Sequence, residues 1–459
     1  MDFETIIIGA GPAGLGVASA LSLNKVETLV LEAAPRAGGS VVSYRQDGFL
    51  VEGGPNSLML ENDGVEGFLK DIGLVPLEAS PVAKKRFLVC GGRPVAAPSG
   101  LIGALTTPLL SLRGKLRFLG EPFARSAPAG GDESVGTFVR RRLGREVAQR
   151  LVDAMVGGIY AGDIERLSLR SAFPRLHEME MRYGSLLRAG LSKGRAAPIR
   201  RLVNFAEGMA EIPNAMVCAL GAGRLQASVR ITALGKTPDG WKVSWENGSS
   251  QATAKARFLV LAVPPWSWPT LPLPAMLQEL LLPWKAIEAP PISIVSLGYK
   301  REQVAHPLDG FGMLSPGIEG RKILGTLFQS SLFSKRTPEG CVLLTSFVGG
   351  SRQAGLTQAN DEEQAERIHG EMRELLGATG TPCFTHICHW PRAIPQYNIG
   401  HEALSIRLAT AEHRFVGLRF CGNYCAGIAL PKTILHALKV ASEISAAFGK
   451  PSKLKIANV

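Results

Sequence analysis

The sequence predicts an α/β protein whose central parallel sheet is assembled from separated stretches of chain, and three observations predict it. The apolar run Thr5-Ile6-Ile7-Ile8 meets Gly9-Ala10-Gly11-Pro12-Ala13-Gly14, and a helical stretch from about Pro12 to Leu23 leads to a second apolar run, Glu27 to Leu31, which ends at Glu32. Near the other end, Leu418-Arg419-Phe420-Cys421-Gly422 again reads as a strand entering a glycine turn. Between them, continuous and alternating apolar runs read as further strands.

Each part of the first unit has its own task. Gly9 makes the turn, Gly11 lets backbone N–H groups approach a pyrophosphate at the positive end of the helix, and Gly14 lets helix and strand pack closely. Glu32, with Ala33 after it, stands 18 residues past Gly14, near the roughly 20 at which an acid holds ribose hydroxyls. A bound dinucleotide is the expectation.

Directly after that acid comes Arg36-Ala37-Gly38-Gly39-Ser40. This arrangement resembles the flavin-dependent amine oxidase and phytoene desaturase superfamily, whose second glycine pair lies against FAD phosphates. The resemblance implies FAD, and no histidine or cysteine carries a covalent-attachment motif, so the cofactor is expected to be non-covalent. The C-terminal element is then Leu418 to Gly422, Gly427-Ile428-Ala429-Leu430 and an apolar helical run from Thr433 to Phe448. A helix N-terminus there would place positive partial charge near the flavin pyrimidine.

With 459 residues, 46% hydrophobic and 20% charged, the chain can bury large cores in two or three domains and is neither disordered nor fibrous. Its seven cysteines (90, 218, 341, 383, 388, 421 and 425) form no CxxC, and Met1-Asp2-Phe3-Glu4 leads straight into the first strand, unlike a secretory leader. The expectation is a reducing cytoplasm without structural disulfides. Cys383, His386, Cys388 and His389 are metal-ligand types, but strand alternation puts Cys383 and His389 on one face and His386 and Cys388 on the other, so no metal is expected.

The formal charge is +12, and much of it lies between Arg113 and Arg201, including Arg140-Arg141-Arg142, Arg182, Arg188, Lys193, Arg195, Arg200 and Arg201. No uninterrupted apolar stretch is long enough to span a membrane, since Phe258 to Pro274 is broken by prolines. Leu186-Leu187-Arg188-Ala189-Gly190-Leu191-Ser192-Lys193 can lie on an anionic membrane surface or form an ordinary solvated face; taken alone, the segment favours the second. No stacking platform or recognition motif points to nucleic acid.

These signals place a discontinuous Rossmann-like FAD-binding domain in 1–85, 203–289 and 391–459, a basic helical insertion in 86–202 and a mixed-sheet substrate domain in 290–390. In the FAD domain Trp241-Lys242-Val243-Ser244-Trp245 and Phe258 to Val263 read as strands. In the substrate domain Ile292 to Leu297 and Val342 to Val348 do, followed by a helix near Glu362 to Leu376. A mainly antiparallel sheet facing the flavin is the inference. No Ser/His/Asp arrangement, HExxH or P-loop can be placed, so the redox chemistry is left to FAD and the substrate is expected to be sizeable and apolar.

Four further segments make the resemblance specific: Glu52-Gly53-Gly54-Pro55-Asn56-Ser57, Gly157-Gly158-Ile159-Tyr160-Ala161-Gly162-Asp163, Gly310-Phe311-Gly312-Met313-Leu314, and Trp390-Pro391-Arg392-Ala393-Ile394-Pro395-Gln396-Tyr397-Asn398-Ile399-Gly400-His401. In this order they resemble the oxygen-dependent protoporphyrinogen oxidases. The resemblance implies six-electron oxidation of a porphyrinogen in three rounds, with O2 reoxidising the flavin to give H2O2. It also implies a homodimer held peripherally on the cytoplasmic face of the cell membrane, with 86–202 as the membrane-associating insertion.

Residue by residue, it implies that Arg86 pairs with a substrate propionate, a task suited to a guanidinium fork. The Gly158 carbonyl would face the pyrrole N–H groups, Leu314 and Leu327 would cover one side of the ring, and Phe347 the other. Around FAD it implies Gly9, Ala10, Gly11, Pro12, Ala13, Gly14, Glu32, Ala33, Gly38, Gly39, Ser40, Gly54, Pro55, Asn56, Ser57, Val229, Trp390, Ile428, Ala429 and Leu430. No general base is assigned. On the residues alone, Arg86 also reads as a surface ion pair, and Leu314, Leu327 and Phe347 as core. Leu430-Pro431-Lys432 departs from the more polar run expected after the last glycine. Two alternatives stay open: a coproporphyrinogen III oxidase of the same fold, whose tetracarboxylate substrate would call on cations such as Lys84, Lys85 and Arg93, and a non-catalytic flavin-binding scaffold.

Overall fold

The computed structural model describes residues 1–61, 63–125, 130–192 and 200–450; Lys193 and Arg195, among the basic residues singled out above, lie outside them. Along the chain, β1 (Phe3–Ile8), α1 (Pro12–Leu23) and β2 (Thr28–Leu31) are followed by two hairpins, β3 (Ser43–Gln46) with β4 (Phe49–Glu52) and β5 (Phe87–Cys90) with β6 (Arg93–Ala96). Helices α2 (Gly100–Thr106), α3 (Leu112–Leu119), α4 (Asp153–Tyr160) and α5 (Glu211–Leu220) precede β7 (Leu225–Gln226), β8 (Arg230–Thr237), β9 (Gly240–Asn247) and β10 (Ser250–Leu261). Then come β11 (Ile292–Lys300), β12 (Gly312–Leu314), β13 (Gly325–Phe328), β14 (Cys341–Gly349), α6 (Asp361–Leu376), β15 (Phe384–Trp390), α7 (His401–Arg414), β16 (Leu418–Phe420) and α8 (Leu430–Ala447).

The first sheet runs β7-β2-β1-β10-β9-β8, with β16 also on β10. Its centre is parallel: Ile7 stands beside Val30 and Val260, and Leu261 beside Phe420. The early part of β10 pairs antiparallel with β9 and its end pairs with β16, which is how the C-terminal stretch rejoins a sheet begun at residue 3. Such strands must be covered on both faces. Alanines and glycines of α1 let it pack closely with α5 and α8 on one face, and Trp268, Leu277, Trp284 and residues of α7 cover the other.

The second sheet runs β15-β11-β14-β13-β12-β5-β6 and is antiparallel except for β12 with β5, where Leu314 stands beside Leu88. Val295, Leu297, Tyr299, Met313 and Phe328 point to one face and are sealed by Ile368, Met372 and Leu375 of α6. The opposite face turns toward the first domain, and the two are joined where Phe49 stacks on Phe384 at 4.4 Å.

The stretch 86–202 does not begin as a helix. Phe87-Leu88-Val89-Cys90 is a continuous apolar run closed by Gly91-Gly92, both at positive φ (59° and 72°), the conformation of a two-residue hairpin turn. Helices follow from Gly100. Among the described residues, no helix is long and apolar enough to cross a membrane.

Candidate flavin and substrate site

At the end of β1, Gly9 turns at φ 105° and α1 starts with Pro12, where no N–H is needed. A Cβ on Gly14 would stand 1.9 Å from Gly9 O and one on Gly9 would stand 2.9 Å from Ala262 O, so both are packing glycines. Gly11 differs: a Cβ there would meet nothing within 4 Å, and no side chain caps the helix it begins. The open, uncapped N–H face fits a pyrophosphate. The second glycine pair closes on it, with Gly38 N–H donating to Ala10 O at 2.8 Å and a Cβ on Gly39 standing 3.1 Å from Gly11 Cα. Glu32 accepts from Ala10 N–H (2.6 Å) and Ala34 N–H (2.8 Å), and its carbonyl accepts from Val229 N–H (3.0 Å), which places the carboxylate beside the cradle where ribose hydroxyls belong.

The segment Gly53 to Ser57 is pressed against this cradle: a Cβ on Gly54 would lie 1.8 Å from Ser40 O, Asn56 Nδ2 donates to Gly54 O at 2.8 Å, and Trp390 Nε1 donates to Gly53 O at 2.6 Å. Its anchor is Glu52, which the sequence did not single out as a functional residue. This buried carboxylate accepts from Ser43 Oγ (2.5 Å), Asn204 Nδ2 (3.0 Å) and Met209 N–H (3.1 Å) and lies 3.4 Å from Arg336. Burial outweighs these partners and pushes its pKa above the usual carboxylate range.

The C-terminal turn supplies a second uncapped N-terminus, with Ala429 at the N-cap of α8. The departure at Leu430-Pro431-Lys432 has a structural account. Pro431 fits the first turn, and the Lys432 side chain folds over Gly427, where a Cβ would meet Lys432 Cδ at 2.7 Å.

On the second sheet, Leu314 faces Gly325 and Gly325 faces Phe347, while Leu327 lies two residues beyond Gly325. Period-two alternation therefore puts Leu314, Leu327 and Phe347 on one face. All three belong to a single wall. Gly158 meets this wall, since a Cβ there would stand 2.4 Å from Leu314 Cδ2. It is exposed in the last turn of α4, which Ala161 ends at φ 49°, and carbonyls of a last turn lack intrahelical partners. Behind it, Arg352 pairs with Asp153, which accepts from Gly317 N–H at 2.7 Å and so braces α4 against the loop after β12.

Alternation from Leu88 puts Arg86 on the same face as Leu314. It is exposed, its guanidinium lies 5.2 Å from the Phe311 ring, and no carboxylate of the described residues pairs with it. Its neighbour Lys85 is bound to Asp309 at 2.5 Å. The surface-ion-pair reading thus belongs to Lys85, not Arg86.

One arrangement escaped the sequence. Ser293 Oγ lies 2.9 Å from His389 Nδ1, and His389 Nε2 lies 2.7 Å from Asp361 Oδ1. The expectation that no Ser/His/Asp arrangement exists is corrected, because three distant segments converge there. Ser293 is fully buried within the sheet, so the chain ties the start of α6 to the sheet and offers no nucleophile. His386 and Cys388 lie on the other face, in register with Ser296 and Ile294.

An open dinucleotide cradle on a parallel sheet, faced by an antiparallel apolar wall, defines a flavin-dependent oxidoreductase, and its cofactor is FAD. The family described as flavin containing amine oxidoreductase matches residues 12–445, and the chain belongs to it. It is 31% identical to the chloroplastic protoporphyrinogen oxidase of Nicotiana tabacum, over 97% of this chain and 86% of the relative. It is 24% identical to the coproporphyrinogen III oxidase of Bacillus subtilis, over 94% and 95%. A crystal structure from Exiguobacterium sp. 255-15, assigned as a protoporphyrinogen oxidase, superposes with a TM-score of 0.81 at 20% identity, over 96% of this chain and 98% of that one. The chain is a flavin oxidoreductase of porphyrin biosynthesis.

Proposed function

We propose that this chain oxidises protoporphyrinogen IX to protoporphyrin IX, with O2 as acceptor and H2O2 as the second product. The observation that carries the reading is one apolar wall, Leu314, Leu327 and Phe347, bordered by the guanidinium of Arg86, which pairs with no carboxylate of the described residues. A flat apolar macrocycle carrying a carboxylate matches that wall and cation. Of the three cations a tetracarboxylate would call on, Lys85 is already neutralised by Asp309, while Lys84 and Arg93 pair with no carboxylate of the described residues.

Bound FAD supplies hydride acceptance and returns the electrons to oxygen. The residues that would hold it are Gly11 and Gly39 at the pyrophosphate, Glu32 at the ribose and the Ala429–Leu430 turn at the pyrimidine. The chain's own residues orient the substrate. Arg86 fixes a propionate, the wall excludes water, and the Gly158 carbonyl accepts from pyrrole N–H and steadies positive charge as it develops there. Each round removes one hydride from a reduced bridging carbon and one proton from a pyrrole nitrogen. Three rounds remove six electrons and yield three H2O2 from three O2. The delocalised charge makes the N–H proton acidic, and no side-chain base is assigned.

We also infer peripheral attachment to an anionic membrane. Leu112, Leu116 and Leu119 form one exposed stripe of α3, with Arg113 and Lys115 in the same helix, and Leu101 and Ile102 of α2 and Phe123, which is 87% exposed, are exposed as well. The homodimer and the cytoplasmic face are supported by the resemblance of the chain. The test of the reaction is porphyrin fluorescence from purified protein, protoporphyrinogen and air: three H2O2 per porphyrin support it, and no rise above autoxidation overturns it.

A further inference from the structure

We propose that Gln396 and Tyr397 form a positioning bridge, through which the turn that faces the flavin is held in register with the substrate-facing end of α4. Neighbouring side chains of an extended segment point to opposite sides, so this dipeptide reaches both. Gln396 Nε2 donates to Tyr160 O at 2.9 Å, two residues from Gly158. Tyr397 Oη donates to Asn423 O (2.7 Å) and accepts from Gly427 N–H (2.8 Å), pinning the turn just before Ile428, Ala429 and Leu430.

The bridge is itself held rigidly. Gln396 N–H donates to Glu288 O at 2.8 Å, and Tyr397 O accepts from Ser168 N–H at 2.9 Å. Both side chains are buried, and His401 stacks on the Tyr397 ring at 3.9 Å with its planes 17° apart. Burial keeps that imidazole neutral, with its pKa pushed down to about 4, so the stack carries no charge near neutral pH. The hydroxyl has both hydrogen-bonding roles filled by one loop, and the amide holds the helix end. This inference rests on flavin binding and not on which porphyrinogen is oxidised.

The test compares apoprotein and FAD-loaded full-length chain by hydrogen–deuterium exchange of residues 157–165 and 421–430, in the wild type, Tyr397→Phe and Gln396→Met. Tyr397→Phe keeps the stacked ring and removes only the hydroxyl; Gln396→Met keeps the length and removes the amide. Wild type should show FAD-dependent protection of both segments. Each variant should still bind FAD, because the cradle at Gly9 to Gly14 and Glu32 is untouched, yet lose about tenfold of the FAD-dependent protection at 157–165. Gln396→Met should keep protection at 421–430. FAD-dependent protection of 157–165 that is unchanged in both variants, or absent from the wild type, overturns the bridge. A wild type that binds no FAD instead overturns the flavin assignment. Should Tyr397→Phe fail to fold, Gln396→Met alone decides.

Discussion

Gly158, at the end of α4, and Leu314, on β12, meet with no side chain between them: a Cβ on Gly158 would stand 2.4 Å from Leu314 Cδ2. The absence of a side chain lets the backbone of a helix end reach the apolar wall.

Gly158→Ala should therefore lower kcat/KM by about 10- to 100-fold, the equivalent of roughly 1–3 kcal/mol of overpacking at the wall, with flavin content unchanged. Adding Leu314→Ala should recover part of the loss by removing the colliding methyl. Full activity in the single variant would remove Gly158 from the site.

Gly11 and Gly14 separate ligand binding from folding. Because a Cβ on Gly11 meets nothing, Gly11→Val should fold with the melting temperature of the apoprotein and purify without FAD. Gly14→Ala drives its Cβ onto Gly9 O and should cost more than about 3 kcal/mol of stability, seen as a lower urea midpoint. Wild-type FAD occupancy in Gly11→Val would contradict the cradle.

Arg86→Ala should chiefly raise KM, by about ten- to hundredfold, as expected for roughly 1.5–3 kcal/mol from a partly desolvated charged pair. Reoxidation of reduced flavin by oxygen should not change. Lysine should restore part, keeping the charge but not the fork. Steady-state kinetics in which Arg86→Ala matches the wild type would end this role.

How far the sequence could be read depended on the range of the interaction. The βαβ unit was legible because Gly9, Gly11, Gly14 and Glu32 are local: α1 runs Pro12–Leu23, the range the sequence predicts. The β5–β6 hairpin was missed because its Gly91-Gly92 turn sits at the head of a long, basic, mostly helical stretch. The Glu52 anchor and the Ser293–His389–Asp361 chain were not legible. Their partners lie up to 284 and 96 residues apart, and only the folded sheets bring them together. That Leu314, Leu327 and Phe347 share one sheet face was not legible either, because strand register, not residue type, decides the face.

Acid should destabilise the fold through its buried imidazoles. His401 and His436 are pushed down to about 4 by burial and are neutral in the folded chain, whereas in the unfolded chain they take up protons near 6.5. The unfolded state binds more protons in that window, so stability is full above about pH 6.5 and is lost as pH falls towards 4, at up to roughly 1.4 kcal/mol per pH unit for each group. Urea midpoints across this range should show the slope, and His401→Phe should flatten it by about one proton.

Attachment to vesicles should need both charge and apolar area. Binding to anionic vesicles should weaken with salt, because surface attraction is screened over about 8 Å at physiological ionic strength. Leu116→Glu with Phe123→Ser should weaken it further without changing the flavin spectrum. Equal binding of the wild type to neutral and anionic vesicles would contradict the electrostatic part.

The measurement that bears most directly on the central claim is kcat/KM in air, on one FAD-loaded preparation, for protoporphyrinogen IX and coproporphyrinogen III, read by porphyrin fluorescence. An apolar wall beside Arg86, with Lys85 held by Asp309, should favour protoporphyrinogen by about tenfold or more. Equal or better turnover of the tetracarboxylate, or none of either with FAD in place, would contradict the account.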